Sequence, residues 1–258
     1  MAGAHPWTRQ QLLIAFDLYC QLPFGRFHSR NPQIIEWATR LGRTPSALAM
    51  KLANIASVDP QFIATGRAGL AGASRSDKAM WEEMTQDWDG FAVAIEQAKA
   101  ALSGIPADTN DVREKQAADY LGVDRLITAK ARVGQTAFRH AVLSAYEHRC
   151  CISGLDAPEL LIASHIVPWS AEAQHRKNPS NGLCLSALHD RAFDQGMICL
   201  DNEFKVQVSE RLKASDNRFM STSLLVFAGQ PIQLPDKFQP DPAFIAYHRE
   251  HIFMDNRA

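Results

Sequence analysis

The chain has 258 residues, 46% of them hydrophobic and 21% charged, with a formal net charge of −1. That composition belongs to a globular protein of one large domain or two smaller ones. No apolar run approaches the roughly 20 residues of a bilayer span. The N-terminal MAGAHPWTRQQ lacks a signal-peptide layout. The cysteines (Cys20, Cys150, Cys151, Cys184 and Cys199) are few and odd in number, which favours reduced thiols and a cytoplasmic location over a disulfide framework.

In chain order, residues 7–20, WTRQQLLIAFDLYC, read as a helix with Thr8 as N-cap and Leu12, Leu13, Phe16, Leu18 and Tyr19 on its apolar face. Leu22-Pro23-Phe24-Gly25 ends it. A second helix follows over 32–41, with Pro32 in its first turn, and Gly42 closes it. Thr44 caps a third helix, SALAMKLANIAS, with Pro45 at its first position. Helix, glycine turn and capped helix make a helix-turn-helix grammar, in which the N-terminal residues of the second helix meet base edges. Here those would be Thr44, Ser46, Met50 and Lys51, with Arg40 and Arg43 flanking the turn. Two helices and a glycine turn also occur in proteins that bind no DNA.

The charge is uneven along the chain. Residues 1–58 hold six basic and two acidic side chains, a balance of +4; residues 59–131 hold eight and 12, or −4; residues 132–258 hold 13 and 14, or −1. A basic N-terminal module is the footprint of a part that touches phosphates, although a solvated basic surface reads the same way.

Residues 61–75 carry three glycines and read as a loop, after which Ser76 caps a long helix over 77–102. The acidic side of that helix (Asp77, Glu82, Glu83, Asp87, Asp89) would repel DNA, so it reads as a spacer or packing element. SGIPADTNDVREKQ, from Ser103, has a linker's composition. The organisation expected is a helical, DNA-binding module over 1–103, a linker over 104–118 and a second domain over 119–258. In that second domain DRLITAKARV reads as a strand and GQTAFRHAVLSAYEHRC as a helix with Phe138, Val142, Leu143 and Tyr146 on its core face.

The stretch from Cys150 to Asp201 contains His165, Asn181 and His189 on an apolar run, a Pro/Ser/Asn/Gly turn and a short helix. Phosphodiester hydrolysis needs an activated water and charge neutralisation at the leaving oxygen. A histidine base and one divalent metal supply these, and the ordinary histidine pKa suits the first role. Three residues at this spacing alone also fit a buried core histidine and an exposed one.

The wider motif, SHIVPW, NPSNGLCLSALHDRAFDQG, MICLD and FKVQV, closely resembles the HNH endonuclease family, and more narrowly its bacterial restriction-like branch. The likeness is strongest over about 132–208 and looser over the N-terminal segment and the tail AFIAYHREHIF. It implies an α+β protein: a helical N-terminal module, then a ββα-metal nuclease domain with a C-terminal helix. It also implies one divalent cation (Mg, Mn, Ni or Zn) and DNA as substrate. Carried over by position, His165 matches the general base, Asn181 the middle asparagine and His189 the metal-binding third position.

Two departures stand out. Many HNH enzymes place Asp or His just before the base, where this chain has Ser164, a poor neutral ligand. Ser164 contributes weakly there, or a water fills the place, or a carboxylate reaches in, with Asp190 and Asp194 nearest in sequence. Asp194, before Gly196, also suits a structural cap. Many HNH modules are stapled by zinc on two Cys-x-x-Cys pairs, whereas Cys150-Cys151, Cys184 and Cys199 do not have that spacing, so no structural zinc is expected. Pro168, Trp169 and Phe193 are expected to pack the module.

Arg176, Lys177 and Arg191 flank the motif as candidate phosphate clamps, and Arg132, Gln135 and Arg139 are placed to line the same cleft; each is equally readable as a surface charge or internal ion pair. With Arg43 and Lys51 in the front module they complete the expected DNA-binding set. His248 and His251 share a face of a C-terminal helix and read as docking residues or a second metal site. The function expected is a metal-dependent DNA endonuclease of restriction or defence type, acting as a homodimer where both strands are cut. The alternatives are a DNA-binding regulator with a non-catalytic finger and an RNA-directed nuclease.

Overall fold

The structure, a computed structural model, describes residues 6–60, 63, 72–103, 122–168 and 178–256. The expected linker at 104–118, Trp169, Arg176, Lys177 and the side chain of Arg132 lie outside the described residues. The chain divides into two units, Met1–Ala137 and Phe138–Ala258.

The first unit is helical: α1 (Arg9–Gln21), α2 (Pro32–Arg40), α3 (Pro45–Ala56), α4 (Arg75–Gln86) and α5 (Trp88–Ser103). Thr8 and Gln11 form a reciprocal capping box at the start of α1. Every residue from Leu12 to Cys20 is buried, so α1 is the helix around which the unit packs. Phe16 meets Phe91 edge-on with ring centroids 5.7 Å apart, and Tyr19 meets Trp81 at 6.0 Å. Gly42 turns the chain between α2 and α3 at φ +64, a conformation open to glycine at no steric cost. Thr44 caps α3 and Pro45 starts it.

The single long helix expected over 77–102 is two helices. Asp87 leaves the helical region, at φ −139 and ψ 78, and its carboxylate accepts from the Gly90 amide at 2.9 Å, which starts the second helix. The cap of the first is Ser74 rather than Ser76: Ser74 and Asp77 form a capping box. The strand expected at DRLITAKARV is also corrected, because these residues lie in α6 (Gly122–Ala145). Ala129-Lys130-Ala131-Arg132 is a run of strong helix formers, and with no neighbouring strand in the sequence to pair with, helical propensity prevails.

The second unit is α+β. α6 ends where Glu147 and His148 enter the left-handed region, at φ 52 and 55. β1 (Leu161–His165) pairs antiparallel with β2 (Gly182–Ser186), and α7 (Ala187–Asp194) follows directly, capped by Ser186. This is the ββα arrangement. A second hairpin, β3 (Ile198–Leu200) with β4 (Val206–Val208), continues the chain. Then come the short helices α8 (Glu210–Lys213) and α9 (Arg218–Ser223), a 3-10 turn at Leu225–Phe227, and α10 (Pro242–His251). Phe138, Val142 and Leu143 are buried on α6 and Tyr146 just past its end, as expected, and the five cysteines are buried and free. No helix among the described residues is long and apolar enough to cross a membrane.

Candidate functional site

The ladder places His165 opposite Gly182 and Ala163 opposite Cys184, while Ser164 pairs with Leu183. Cross-strand partners point to one face and successive residues to opposite faces. The His165 side chain therefore shares a face with position 182, and Ser164 points the other way. On its face the His165 ring stacks on Phe138 of α6, with centroids 4.3 Å apart and planes 7° off parallel.

That stacking depends on Gly182. A Cβ at 182 would collide with Val142 Cγ2 and lie 3.0 Å from Phe138 Cζ and from the Pro179 carbonyl. The missing side chain lets α6 approach β2 and bring Phe138 against the histidine. Gly182→Ala is expected to lower stability by about 1–3 kcal/mol through overpacking. It should also displace Phe138, so activity falls more than stability; urea melts and cleavage rates on one preparation check this.

Asn181 is fully buried and works on the backbone. Its Oδ1 accepts from the Val167 amide at 2.8 Å, its Nδ2 donates to the Val167 carbonyl at 3.2 Å, and its own carbonyl accepts from the Ile166 amide at 2.9 Å. The residue clamps the two residues that follow His165, which holds the end of β1 in place. Asn181→Leu would leave a buried amide and a buried carbonyl unpaired, a cost of about 2–4 kcal/mol. Thermal unfolding and the loss of cleavage should move together; an unchanged melting temperature would contradict the clamp.

His189 lies at the first turn of α7 and is 3% exposed. Its Nε2 is 3.1 Å from the Ser223 carbonyl, which accepts only, so Nε2 carries the hydrogen. Nδ1 then accepts from the Ser186 hydroxyl at 2.8 Å, with the Cys150 sulfur at 3.6 Å. The Phe227 ring stands edge-on to the imidazole, centroids 5.3 Å apart. The Ser153 amide donates to the Cys150 sulfur at 3.5 Å.

The donor set as folded does not fit a divalent ion. Both nitrogens of His189 are taken by the protein. Ser164 Oγ is buried without a hydrogen-bond partner and lies on the face opposite His165. Asp194 is raised from its usual carboxylate range by burial and by the Asp190 charge, with Arg191 opposing. Among the described residues no group of three or more His, Cys, Asp and Glu side chains converges on a metal position.

The expected phosphate contacts divide. Arg191 is exposed on α7. Arg139 is exposed but bonds the Leu161 carbonyl at 3.0 Å, so it buttresses β1. Arg43 bonds the Pro6 carbonyl and Gln11 Oε1, both at 2.8 Å, and stacks over Trp7. Lys51, expected at a phosphate, is instead 6% exposed and ion-paired to Asp77 at 2.9 Å. On α10, His248 is buried, bonds the Phe193 carbonyl through Nε2 at 3.1 Å and stacks on the buried Phe193, while His251 stacks on Tyr247. His248 therefore docks the helix, whereas the contacts of His251 stay within α10. Phe138, Gly182, Cys150 and Ser223 were not readable as site residues, because each acts through a partner remote in sequence; Ser186 acts locally, as the cap three residues before His189. The Asn181-Gly182 turn dipeptide was another local signal.

A family model described as HNH endonuclease matches residues 150–201, the segment that holds the hairpin, α7 and the three polar residues. No curated protein matches the chain.

Proposed function

We propose, from the premise that residues 150–201 are an HNH endonuclease module, that this chain hydrolyses phosphodiester bonds of duplex DNA in a reaction that depends on a divalent metal. His165 is the general base. The observation that supports this best is the way His165 is held: its ring is stacked on Phe138 and the chain just after it is clamped by three hydrogen bonds from Asn181. A base must be held in a fixed direction toward its water, and rigid backing on one face with a pinned strand end does that. Asn181 is a positioning residue. Arg191, exposed one turn into α7, would neutralise phosphate charge, and Arg176, Lys177 and Arg132 are further candidates for phosphate contact. The helix-turn-helix of the first unit would present Thr44, Ser46 and Met50 to DNA.

The test is incubation of the full chain with supercoiled plasmid, linear duplex and RNA, with Mg²⁺, Mn²⁺, Ni²⁺ or Zn²⁺ and with EDTA. Metal-dependent nicking or cutting of duplex DNA, absent in EDTA, is the expected result; cleavage of RNA alone would replace the substrate class. No cleavage of any DNA, modified or unmodified, would favour the second reading, a DNA-binding regulator with a non-catalytic finger. The engagement of both His189 nitrogens by the protein is the observation on that side.

A further inference from the structure

Most of the positive charge in the first unit is engaged internally. Arg9 pairs with Glu83, Arg40 with Glu36, Lys51 with Asp77 and Lys99 with Asp17. Arg43 bonds the Pro6 carbonyl and Gln11. Of the cations described between Arg9 and Lys99, four remain. Arg75 and Lys78 are exposed on α4, beside the exposed Glu82. Arg26 and Arg30 are exposed on the connection between α1 and α2, with the exposed His28 between them. No acidic residue stands between Asp17 and Glu36, and both of those carboxylates are paired elsewhere.

The connection is firmly folded. After a 3-10 turn at Phe24–Arg26, the Arg26 carbonyl accepts from the His28 amide at 2.9 Å and from Asn31 Nδ2 at 3.1 Å. The Asn31 amide bonds the His28 carbonyl at 3.0 Å. Asn31 is buried, and its Oδ1 caps α2 through the Gln33 amide at 2.9 Å. The Phe27 ring lies 5.7 Å from Tyr19 of α1 and 5.4 Å from Phe24. Arg26 and Arg30 therefore leave a fixed backbone at points within about 14 Å of each other, the span of four extended residues.

We propose that this connection is a phosphate-binding element, and that the first unit docks on duplex DNA through Arg26 and Arg30, not through the cations of α3. The inference rests on the nuclease reading for the identity of its ligand. The length of α2 favours a duplex. Its nine residues span about 13 Å, with the arginine connection at one end and the start of α3 at the other. The major groove of B-DNA is about 12 Å wide. With the start of α3 over that groove, the connection falls at its edge, where a phosphate strand runs. Thr44, Ser46 and Met50, exposed on and beside α3, are neutral. They can meet base edges but displace no counterions, whereas the arginines supply the salt-dependent part of binding and fix the register. The deep, narrow major groove of A-form RNA does not admit this arrangement.

The test is fluorescence anisotropy of the full chain in EDTA with labelled duplex DNA and with RNA, over a series of salt concentrations. Arg26→Gln/Arg30→Gln is expected to bind duplex DNA about 10–100-fold more weakly near 0.1 M salt, with the slope of log K against log salt shallower by roughly two. Each single replacement should remove about one from the slope. Arg26→Lys/Arg30→Lys, which keeps both charges, should keep the wild-type slope. Arg75→Gln/Lys78→Gln, an equal change of charge on the acidic helix, should leave affinity within about threefold of wild type. Unchanged binding in the Arg26/Arg30 glutamine variants would overturn the proposal, as would an equal loss in the Arg75/Lys78 pair. A loss confined to RNA would overturn the duplex assignment. The plasmid assay is read separately: cleavage with no loss in the Arg26/Arg30 variants leaves the nuclease reading standing without this element. Arginine-dependent binding with no cleavage leaves the element standing without the nuclease.

Discussion

Cleavage of duplex DNA by the His165→Ala variant is expected to fall by about two to four orders of magnitude, the usual contribution of a positioned general base. The fold should survive. The side chain is half-buried at the end of β1, where its ring stacks on that of Phe138. Losing that contact costs about 1 kcal/mol. Initial nicking rates on supercoiled plasmid, read beside the circular dichroism melt of the same preparation, separate the two effects. A variant that cuts within about threefold of wild type would remove His165 from the chemistry. A variant that is both inactive and unfolded would make His165 structural. His165→Gln, which keeps a planar side chain without a base of suitable pKa, should match the alanine variant in rate and come closer to wild type in stability.

Lys51→Met is expected to destabilise the first unit by about 3–5 kcal/mol, a large share of a domain's total stability. Lys51 Nζ lies 2.9 and 3.0 Å from the two Asp77 oxygens. Asp77 is fully buried and also accepts from the Ser74 amide and hydroxyl at 2.8 and 2.9 Å. Removing the ammonium strands a carboxylate whose desolvation its other hydrogen bonds do not offset. Replacing both members, as in Lys51→Met/Asp77→Leu, should recover more than half of the loss, because an apolar pair of similar volume has no charge to desolvate. Urea unfolding of the full chain, read by first-unit tryptophans such as Trp81, measures both. A Lys51→Met protein of wild-type stability with weakened DNA binding would instead make Lys51 the phosphate contact that its place on α3 suggests.

The contrast between Lys51 and Thr44, seven residues apart, shows where local reading succeeds. Thr44-Pro45 specifies a helix start by itself: the hydroxyl accepts from the Ala47 amide three residues on, and proline lacks only an amide that the first turn leaves unused. Lys51 looked like a surface cation because a window of 58 residues sees only its own charges. Its partner Asp77 comes from the next, acidic window, as does Glu83, which pairs with Arg9. The local surplus of +4 was therefore in part an internal balance between helices. The same limit explains the helix break at Asp87: apolar spacing runs on through it, whereas the turn depends on one side chain capping Gly90.

What the sequence determined by itself was most of the local elements and a likeness: capped helices in the first unit, the two hairpins and α7, the resemblance of the stretch around His165, Asn181 and His189 to HNH endonucleases, and the burial of the cysteines. These follow from short-range rules, namely periodicity, caps and turn residues, and from a motif whose spacing is contained in 52 residues, from 150 to 201. Only the tertiary structure decided how those residues are used. It put Phe138 behind His165 through the space left at Gly182, turned Asn181 onto Val167, and gave both nitrogens of His189 to Ser186 and Ser223. Each of these contacts joins groups from different elements, and its energy depends on burial and direction, quantities that exist only once the chain has folded.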